Sequence, residues 1–219
     1  LCISVNASIS NVGLNKDHNN ARNFWLLAAG AAFVALLLQA GGAPVRAGLA
    51  WDRDALAAGQ LWRLLSGHFV HLGWSHLVLN LAGLALVSWL VGKWFSLGRW
   101  LLIGAASIAA IDIGFWLVHV SLDGYVGLSG LLYGLLVAGL VAGVLQRDRE
   151  AIILAVFIIA KIAWEQFAGP MPGSEATTGG KVIVEAHLYG AIGGLLGGLL
   201  CRYNAPQPAR DPLYPEEDS

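Results

Sequence analysis

Six long apolar segments dominate this chain of 219 residues. A helix that crosses a bilayer needs roughly 17–25 residues, and the segments at 24–40, 64–91, 100–120, 125–145, 151–167 and 182–201 are about that long. Backbone N–H and C=O groups cannot remain unpaired in hydrocarbon, and apolar segments of this length satisfy them by forming helices. The sequence therefore predicts an all-α membrane protein, a bundle of six transmembrane helices.

The composition favours the same fold class and narrows the function. Hydrophobic residues make up 57% of the chain and charged residues only 12%, whereas soluble domains carry about 25% charge. The net charge of −1 indicates no nucleic-acid partner. Cys2 and Cys201 stand near opposite ends of the chain without the spacing of metal ligands. The cysteines thus give no indication of a metal site, and we expect no cofactor.

The polar ends and the basic residues predict the domain organisation and the orientation. We expect an N-terminal cytoplasmic segment at 1–22, a membrane domain at 23–203 and a disordered, proline-rich cytoplasmic tail at 204–219. Eight basic residues fall on one predicted side: Lys16, Arg22, Lys93, Arg99, Arg147, Arg149, Arg202 and Arg210. Four fall on the other: Arg46, Arg53, Arg63 and Lys181. The positive-inside rule then places both termini in the cytoplasm.

Three polar motifs fall near the outer ends of predicted helices 2, 4 and 6. They are His71-x4-His76-x3-Asn80, Gly127-Leu128-Ser129-Gly130 followed by Tyr133, and Ala186-His187-x2-Gly190. A hydroxyl, an imidazole and hydrogen-bond donors are the groups that serine acyl transfer needs. We expect Ser129 and His187 to lie at a common depth, about 6–8 Å below the starts of their helices.

Each motif also has a purely structural interpretation. A serine flanked by glycines in a membrane helix often marks close helix packing, and an isolated histidine is often a hydrogen-bonded structural residue. The Gly-x3-Gly spacing of Gly193, Gly194, Gly197 and Gly198 favours packing in helix 6. His76 and Asn80 share one helix face and could simply bind a neighbouring helix. The three motifs together, at matched depth on helices of one direction, favour catalysis over packing.

Two other classes of function remain as alternatives. A haem or metal protein would use histidines as ligands, here His68, His71, His76 and His187. However, His71 and His76 are five residues apart, so they do not share a helix face, and no cysteine or carboxylate joins them. A transporter would use a polar path through Asp112, Lys161 and Glu165, but no inverted repeat supports it.

The motifs together resemble those of the rhomboid intramembrane serine proteases, over about residues 50–200. The pattern is Trp62-Arg63-x7-His71-x4-His76-x3-Asn80, then Gly127-Leu128-Ser129-Gly130-x2-Tyr133, then Ala186-His187-x2-Gly190. The resemblance implies a six-helix rhomboid fold in which Ser129 is the nucleophile and His187 its base, a dyad without a carboxylate. Relatives without protease activity usually lack the serine or the histidine, and this chain has both.

The resemblance also assigns supporting roles. The oxyanion would be bound by the side chains of His76 and Asn80 and by the backbone N–H of Ser129. Tyr133 would pack against the His187 ring and fix its orientation, and Gly190 would permit a close approach of helices 6 and 4. The remaining motif residues expected to support the site are Gly127, Gly130 and His71.

A narrower resemblance concerns helices 5 and 6. The segments KIAWEQ, with Lys161 and Glu165, and VEAHLYG are similar to the rhombosortase branch of bacterial rhomboid-like enzymes. It implies an inner-membrane enzyme whose site opens outward and whose substrates are exported proteins anchored in the lipid bilayer by C-terminal GlyGly-CTERM tail helices. A general rhomboid protease of single-pass proteins is the alternative. Lys161 and Glu165 are one turn apart, so they form either a structural ion pair or a substrate contact.

Overall fold

The computed structural model describes residues 2–203, so the predicted tail at 204–219 lies outside the described residues. Within that range the fold is almost entirely helical. The elements are α1 (Cys2–Ala40), α2 (Gly42–Leu49), β1 (Trp51–Asp52), α3 (Arg53–Ala57), α4 (Arg63–Ser66), α5 (Trp74–Val91), α6 (Leu97–Leu117), β2 (Gly124–Tyr125), α7 (Ser129–Leu145), α8 (Arg149–Ala168), α9 (Ser174–Thr178) and α10 (Val184–Tyr203).

Five helices of the described residues are long and apolar enough to span a membrane. The spans are Asn15–Ala40, Trp74–Val91, Leu97–Leu117, Arg149–Ala168 and Val184–Cys201. The sixth apolar helix, α7, has 17 residues and is shorter than these spans. The chain is therefore a multi-pass membrane protein with a helical bundle.

The second predicted segment, 64–91, is not one helix. α4 ends at Ser66 and α5 begins at Trp74, with an irregular segment between them. At Gly67 a β-carbon would lie 2.7 Å from the backbone nitrogen of Trp51, so the chain turns away there to pack against β1. The buried guanidinium of Arg63 holds this region by donating to the carbonyl oxygens of Ala47 and Ala50 at 3.0 and 2.6 Å.

α7 occupies the middle of the bundle, where it packs against α5, α6, α8 and α10. Glycines and alanines at its interface with α10 let the two backbones approach closely. A β-carbon at Gly194 of α10 would lie 1.9 Å from the carbonyl oxygen of Gly134 in α7. Large apolar side chains on the outer helices point outward, as for Phe167, which is 93% exposed. The core is thus built on α7, and the bundle's outer surface suits lipid.

Candidate active site

Ser129 is the first residue of α7, and the segment before it is not helical. Tyr125 belongs to β2, which pairs antiparallel with β1 in the register Trp51↔Tyr125. Gly127 then adopts φ +126°, a backbone conformation that favours glycine and cannot occur within a helix. The expected start of helix 4 at residue 125 is therefore wrong, and Ser129 lies at the helix start rather than 6–8 Å below it.

Hydrogen bonds hold the segment before Ser129 at both of Gly127's backbone groups. The N–H of Gly127 donates to the carbonyl oxygen of Gly67 at 3.1 Å. The hydroxyl of Tyr125 donates to the carbonyl oxygen of Gly127 at 2.6 Å. Burial raises the pKa of Tyr125, so this hydroxyl keeps its proton near neutral pH. The loop that precedes Ser129 is thereby fixed through both the N–H and the C=O group of Gly127.

His187 lies beside Ser129 although 58 positions separate them in the sequence. Its Nε2 atom is 3.0 Å from the Oγ atom of Ser129, and the ring is buried, with 5% exposure. His187 is the fourth residue of α10, about 4.5 Å from the start of that helix. α7 and α10 are in close contact here because Gly130 and Gly190 face each other: a β-carbon at Gly190 would lie 2.0 Å from the carbonyl oxygen of Gly130.

Tyr133, one turn after Ser129, stacks on the His187 ring. The two ring centroids are 4.4 Å apart and the planes differ by 16°. The Tyr133 hydroxyl accepts a hydrogen bond from the ammonium group of Lys161 on α8. The stacking restricts the rotation of the imidazole about χ1 and χ2, and the lysine fixes the tyrosine in turn.

A carboxylate, that of Glu165, contacts the His187 ring. This arrangement differs from the dyad without a carboxylate that the resemblance implies. Glu165 Oε2 lies 2.9 Å from His187 Nδ1, while Oε1 accepts from Lys161. Glu165 is in the last turn of α8 and His187 in the first turn of α10, so the connection between these helices brings them together. The sequence indicated the one-turn spacing of Lys161 and Glu165 but not the contact with His187.

His76 and Asn80 lie on α5 opposite the Gly127 loop, both of them buried. A β-carbon at Gly127 would lie 2.9 Å from His76 Nε2 and 3.9 Å from Asn80 Nδ2. The N–H of Leu72 donates to His76 Nδ1 at 3.4 Å, so the neutral imidazole carries its own proton on Nε2. Two N–H donors of α5 therefore adjoin the loop that precedes Ser129.

His71 lies in the segment before α5, next to the His76 ring and not in the cavity wall that Ser129 lines. Its ring is 1% exposed, and the His71 and His76 ring centroids are 5.0 Å apart. Burial, and secondarily the nearby His76 ring, lower the pKa of His71 to about 4. His71 is therefore neutral near pH 7, and it supports His76 through packing.

A cavity of about 520 Å³ opens in front of these residues. The polar part of its wall includes Ser129, His187, His76, Asn80 and Lys161. Most of the other lining side chains are apolar. Asp112 contributes nothing to it, since its carboxylate lies 3.6 Å from His68 Nε2 elsewhere in the bundle. The polar path from Asp112 to Lys161 that a transporter would use is thus not continuous through this cavity.

Comparison with known proteins identifies the family. The Rhomboid domain model matches residues 58–204, which contain all three polar motifs. The putative rhomboid protease YdcA of Bacillus subtilis (strain 168) is 27% identical over 146 residues, covering 67% of this chain and 70% of that protein. Rhomboid-like protease 5 of Toxoplasma gondii is 32% identical over 149 residues, covering 64% of this chain and 16% of that protein. The chain therefore belongs to the rhomboid family of intramembrane serine proteases.

Proposed function

We propose that Ser129 is the nucleophile and His187 the general base of this protease. The observation that carries the proposal is the 3.0 Å separation of Ser129 Oγ and His187 Nε2. A serine hydroxyl is a weak nucleophile near neutral pH, and it needs an adjacent base within hydrogen-bonding distance. No other described serine has a histidine ring nitrogen as its hydrogen-bond partner.

The reaction then proceeds in two steps, acylation of Ser129 and hydrolysis of the acyl-enzyme. Ser129 Oγ bonds to the substrate's carbonyl carbon while its proton passes to His187 Nε2 and the C=O π electrons move to oxygen. Collapse of this intermediate breaks the C–N bond, and His187 returns the proton to the leaving amine. Water then attacks the acyl-enzyme by the same route and regenerates the Ser129 hydroxyl, releasing the carboxylic acid.

The oxyanion of each tetrahedral intermediate would be bound by His76, Asn80 and the backbone N–H of Ser129. As the first residue of α7, Ser129 has an N–H without an intrahelical acceptor. The positive end of the α7 dipole adds to the field at that point. A single donor of this kind is worth about 3–4 kcal/mol in the transition state.

For the membrane topology we propose six spans with both termini in the cytoplasm of a bacterial inner membrane. In this arrangement 1–22 is a cytoplasmic segment, 23–203 the membrane domain and 204–219 a cytoplasmic tail. α7 is about 25 Å long and surrounded by other helices, so it need not match the full thickness of the bilayer. The excess of basic residues on the proposed inner side supports the orientation, and Ser129 then opens toward the outside.

For the substrates we propose exported proteins whose C-terminal tails end in a GlyGly-CTERM-type membrane helix. Rhomboid proteases act on membrane proteins in the bilayer, and the apolar cavity beside Ser129 suits a membrane segment. An extended backbone must reach Ser129, because a helix hides its carbonyl carbons from attack. Glycines at the outer end of a tail helix make that unwinding easier, at about 1 kcal/mol each relative to alanine.

The catalytic assignment is tested with Ser129→Ala and His187→Ala in the full chain. Each should abolish cleavage of a single-pass membrane substrate and labelling by a fluorophosphonate, while the protein stays folded in the membrane. The double variant should be no worse than either single one, because the two residues act as a unit. Ser88→Ala is the matched control, since Ser88 is a buried serine of α5 that donates to Leu84. Normal cleavage by a well-expressed Ser129→Ala protein would refute the assignment.

A further inference from the structure

We infer that Glu165 is the positioning residue of His187, so that the catalytic unit is Ser129–His187–Glu165. This inference rests on the proposed function, because it assumes that His187 activates Ser129. Glu165 holds the imidazole in one tautomer and one orientation, and it stabilises the imidazolium that forms when His187 takes the serine proton.

The order of atoms carries the inference. Glu165 Oε2 is 2.9 Å from Nδ1 of His187, and Ser129 Oγ is 3.0 Å from Nε2 of the same ring. An ionised carboxylate only accepts hydrogen bonds, so Nδ1 must carry the proton. Nε2 of the neutral ring is then an acceptor, which is the state that a base needs to take the proton of Ser129.

The other oxygen of Glu165 has a cationic partner, which allows the buried carboxylate to remain ionised. Oε1 accepts from the ammonium group of Lys161, one turn earlier on α8. Lys161 also donates to Tyr133, whose ring stacks on His187. The four side chains form a closed ring of contacts, in which a buried negative charge has both a counter-ion and a second donor.

The two simpler roles of Glu165 fit these contacts less well. A structural ion pair would need only Lys161, and it would leave the second carboxylate oxygen free to point away from the imidazole. A substrate contact would need an exposed oxygen, but the Glu165 side chain is 3% exposed and both oxygens are occupied. Both residues border the cavity, but Lys161, with 28% of its side chain exposed, is the more accessible member of the pair.

The test is Glu165→Gln in the full chain, reconstituted in lipid vesicles with a single-pass membrane substrate. The amide can hydrogen-bond His187 in the wrong tautomer, and the comparable carboxylate-to-amide change in a serine protease lowers kcat by about 10⁴. We expect kcat to fall by roughly two to four powers of ten with KM little changed. The maximal rate of fluorophosphonate labelling at Ser129 should fall in parallel, because labelling needs the activated hydroxyl but no protein substrate.

Two further variants keep the test decisive if Glu165→Gln fails to fold. Lys161→Met/Glu165→Gln removes both charges together, so that no uncompensated charge stays buried, and it should show the same loss of kcat. Glu165→Asp keeps the carboxylate but withdraws it by one methylene, and its kcat should lie between those of the parent and Glu165→Gln. Thermal unfolding of each variant reports separately on folding.

The matched control is Glu185→Gln. Glu185 is on α10 and lies 3.3 Å from a different histidine, His119, at partly exposed positions. The kcat of Glu185→Gln should equal that of the parent. Unchanged kcat in a folded Glu165→Gln or double variant would overturn the inference, and so would an increase of KM alone or an equal loss in Glu185→Gln. A parent protein that neither cleaves nor labels at Ser129 would instead overturn the proposed function.

Discussion

Gly190 of α10 lies so close to Gly130 of α7 that a β-carbon at Gly190 would be 2.0 Å from the Gly130 carbonyl oxygen. Gly130 directly follows Ser129, and Gly190 is three residues after His187. The separation of the two helix axes at this point therefore controls the separation of Ser129 Oγ and His187 Nε2. A packing contact between backbones thus determines a distance on which the chemistry depends.

Gly190→Ala is expected to push α7 and α10 apart and to lower kcat. A displacement of 1 Å at a catalytic pair can cost about a hundredfold, and overpacking lowers the free energy of unfolding by roughly 1–3 kcal/mol. Cleavage kinetics and thermal unfolding measure the two effects. Gly98→Ala in α6 is the control, because a β-carbon there meets nothing within 4 Å. Full activity of Gly190→Ala would mean that the helix separation does not limit catalysis.

His76→Ala and Asn80→Ala are each expected to lower turnover by roughly two to three powers of ten, as for other oxyanion donors. The physical reason is the loss of an N–H donor that strengthens its bond as charge develops on the substrate oxygen. Fluorophosphonate labelling of Ser129 should weaken as well. Leu79→Ala, on the same helix and in the same cavity wall, removes no donor and serves as the control. Unchanged rate and labelling in both variants would reduce α5 to a packing role.

The apolar segments predicted which parts of the chain contain long apolar helices, because segment length and hydropathy are local properties, but the starts of the second and fourth segments are wrong. The N-terminal end of α7 cannot be predicted from local hydropathy, since it depends on the pairing of Trp51 with Tyr125 and on the positive φ of Gly127. The motifs pointed to Ser129 and His187, but not to Glu165 beside the His187 ring. That contact depends on how α8 and α10 are rotated about their axes, which spacing within α8 alone cannot indicate.

His71 is expected to make the protein less stable in acid. Its pKa is about 4 in the folded protein and about 6.5 in an unfolded chain. The folded state therefore binds fewer protons than the unfolded chain. The contribution of His71 to the free energy of unfolding is fully present above about pH 6.5 and is lost as the pH falls from about 6.5 to about 4. The free energy of unfolding lost over this pH range is roughly 3 kcal/mol.

The measurement compares the Tm of the parent and of His71→Gln in detergent between pH 7.5 and 4.5. The variant should lose less of its Tm over this range, because glutamine does not titrate. His119→Gln serves as a control at a position with 34% side-chain exposure. Parallel pH curves for the parent and His71→Gln would show that the buried imidazole does not contribute.

Cysteine labelling tests the proposed orientation in a variant without Cys2 and Cys201. Thr177→Cys, in α9 between α8 and α10, should react with an impermeant thiol reagent added outside intact cells. Gln146→Cys, between α7 and α8, should react only after permeabilisation. Both positions are exposed in the structure, so neither result depends on burial. The reverse pattern would direct Ser129 toward the cytoplasm and contradict the proposed substrates.

The substrate proposal leads to a prediction about the tails of exported proteins. A hydrolase that opens outward reaches only bonds near the outer boundary of the membrane, and a C-terminal tail helix presents its glycine-rich outer end there. Cells without this protein should therefore retain intact GlyGly-CTERM-type tails in mass spectra of their exported proteins. Complementation with the parent chain should restore cleavage, and complementation with Ser129→Ala should not. If the tails are still removed at the same bond while a single-pass protein without a glycine-rich motif accumulates uncut, the enzyme is a general rhomboid protease and the tail-specific proposal is wrong.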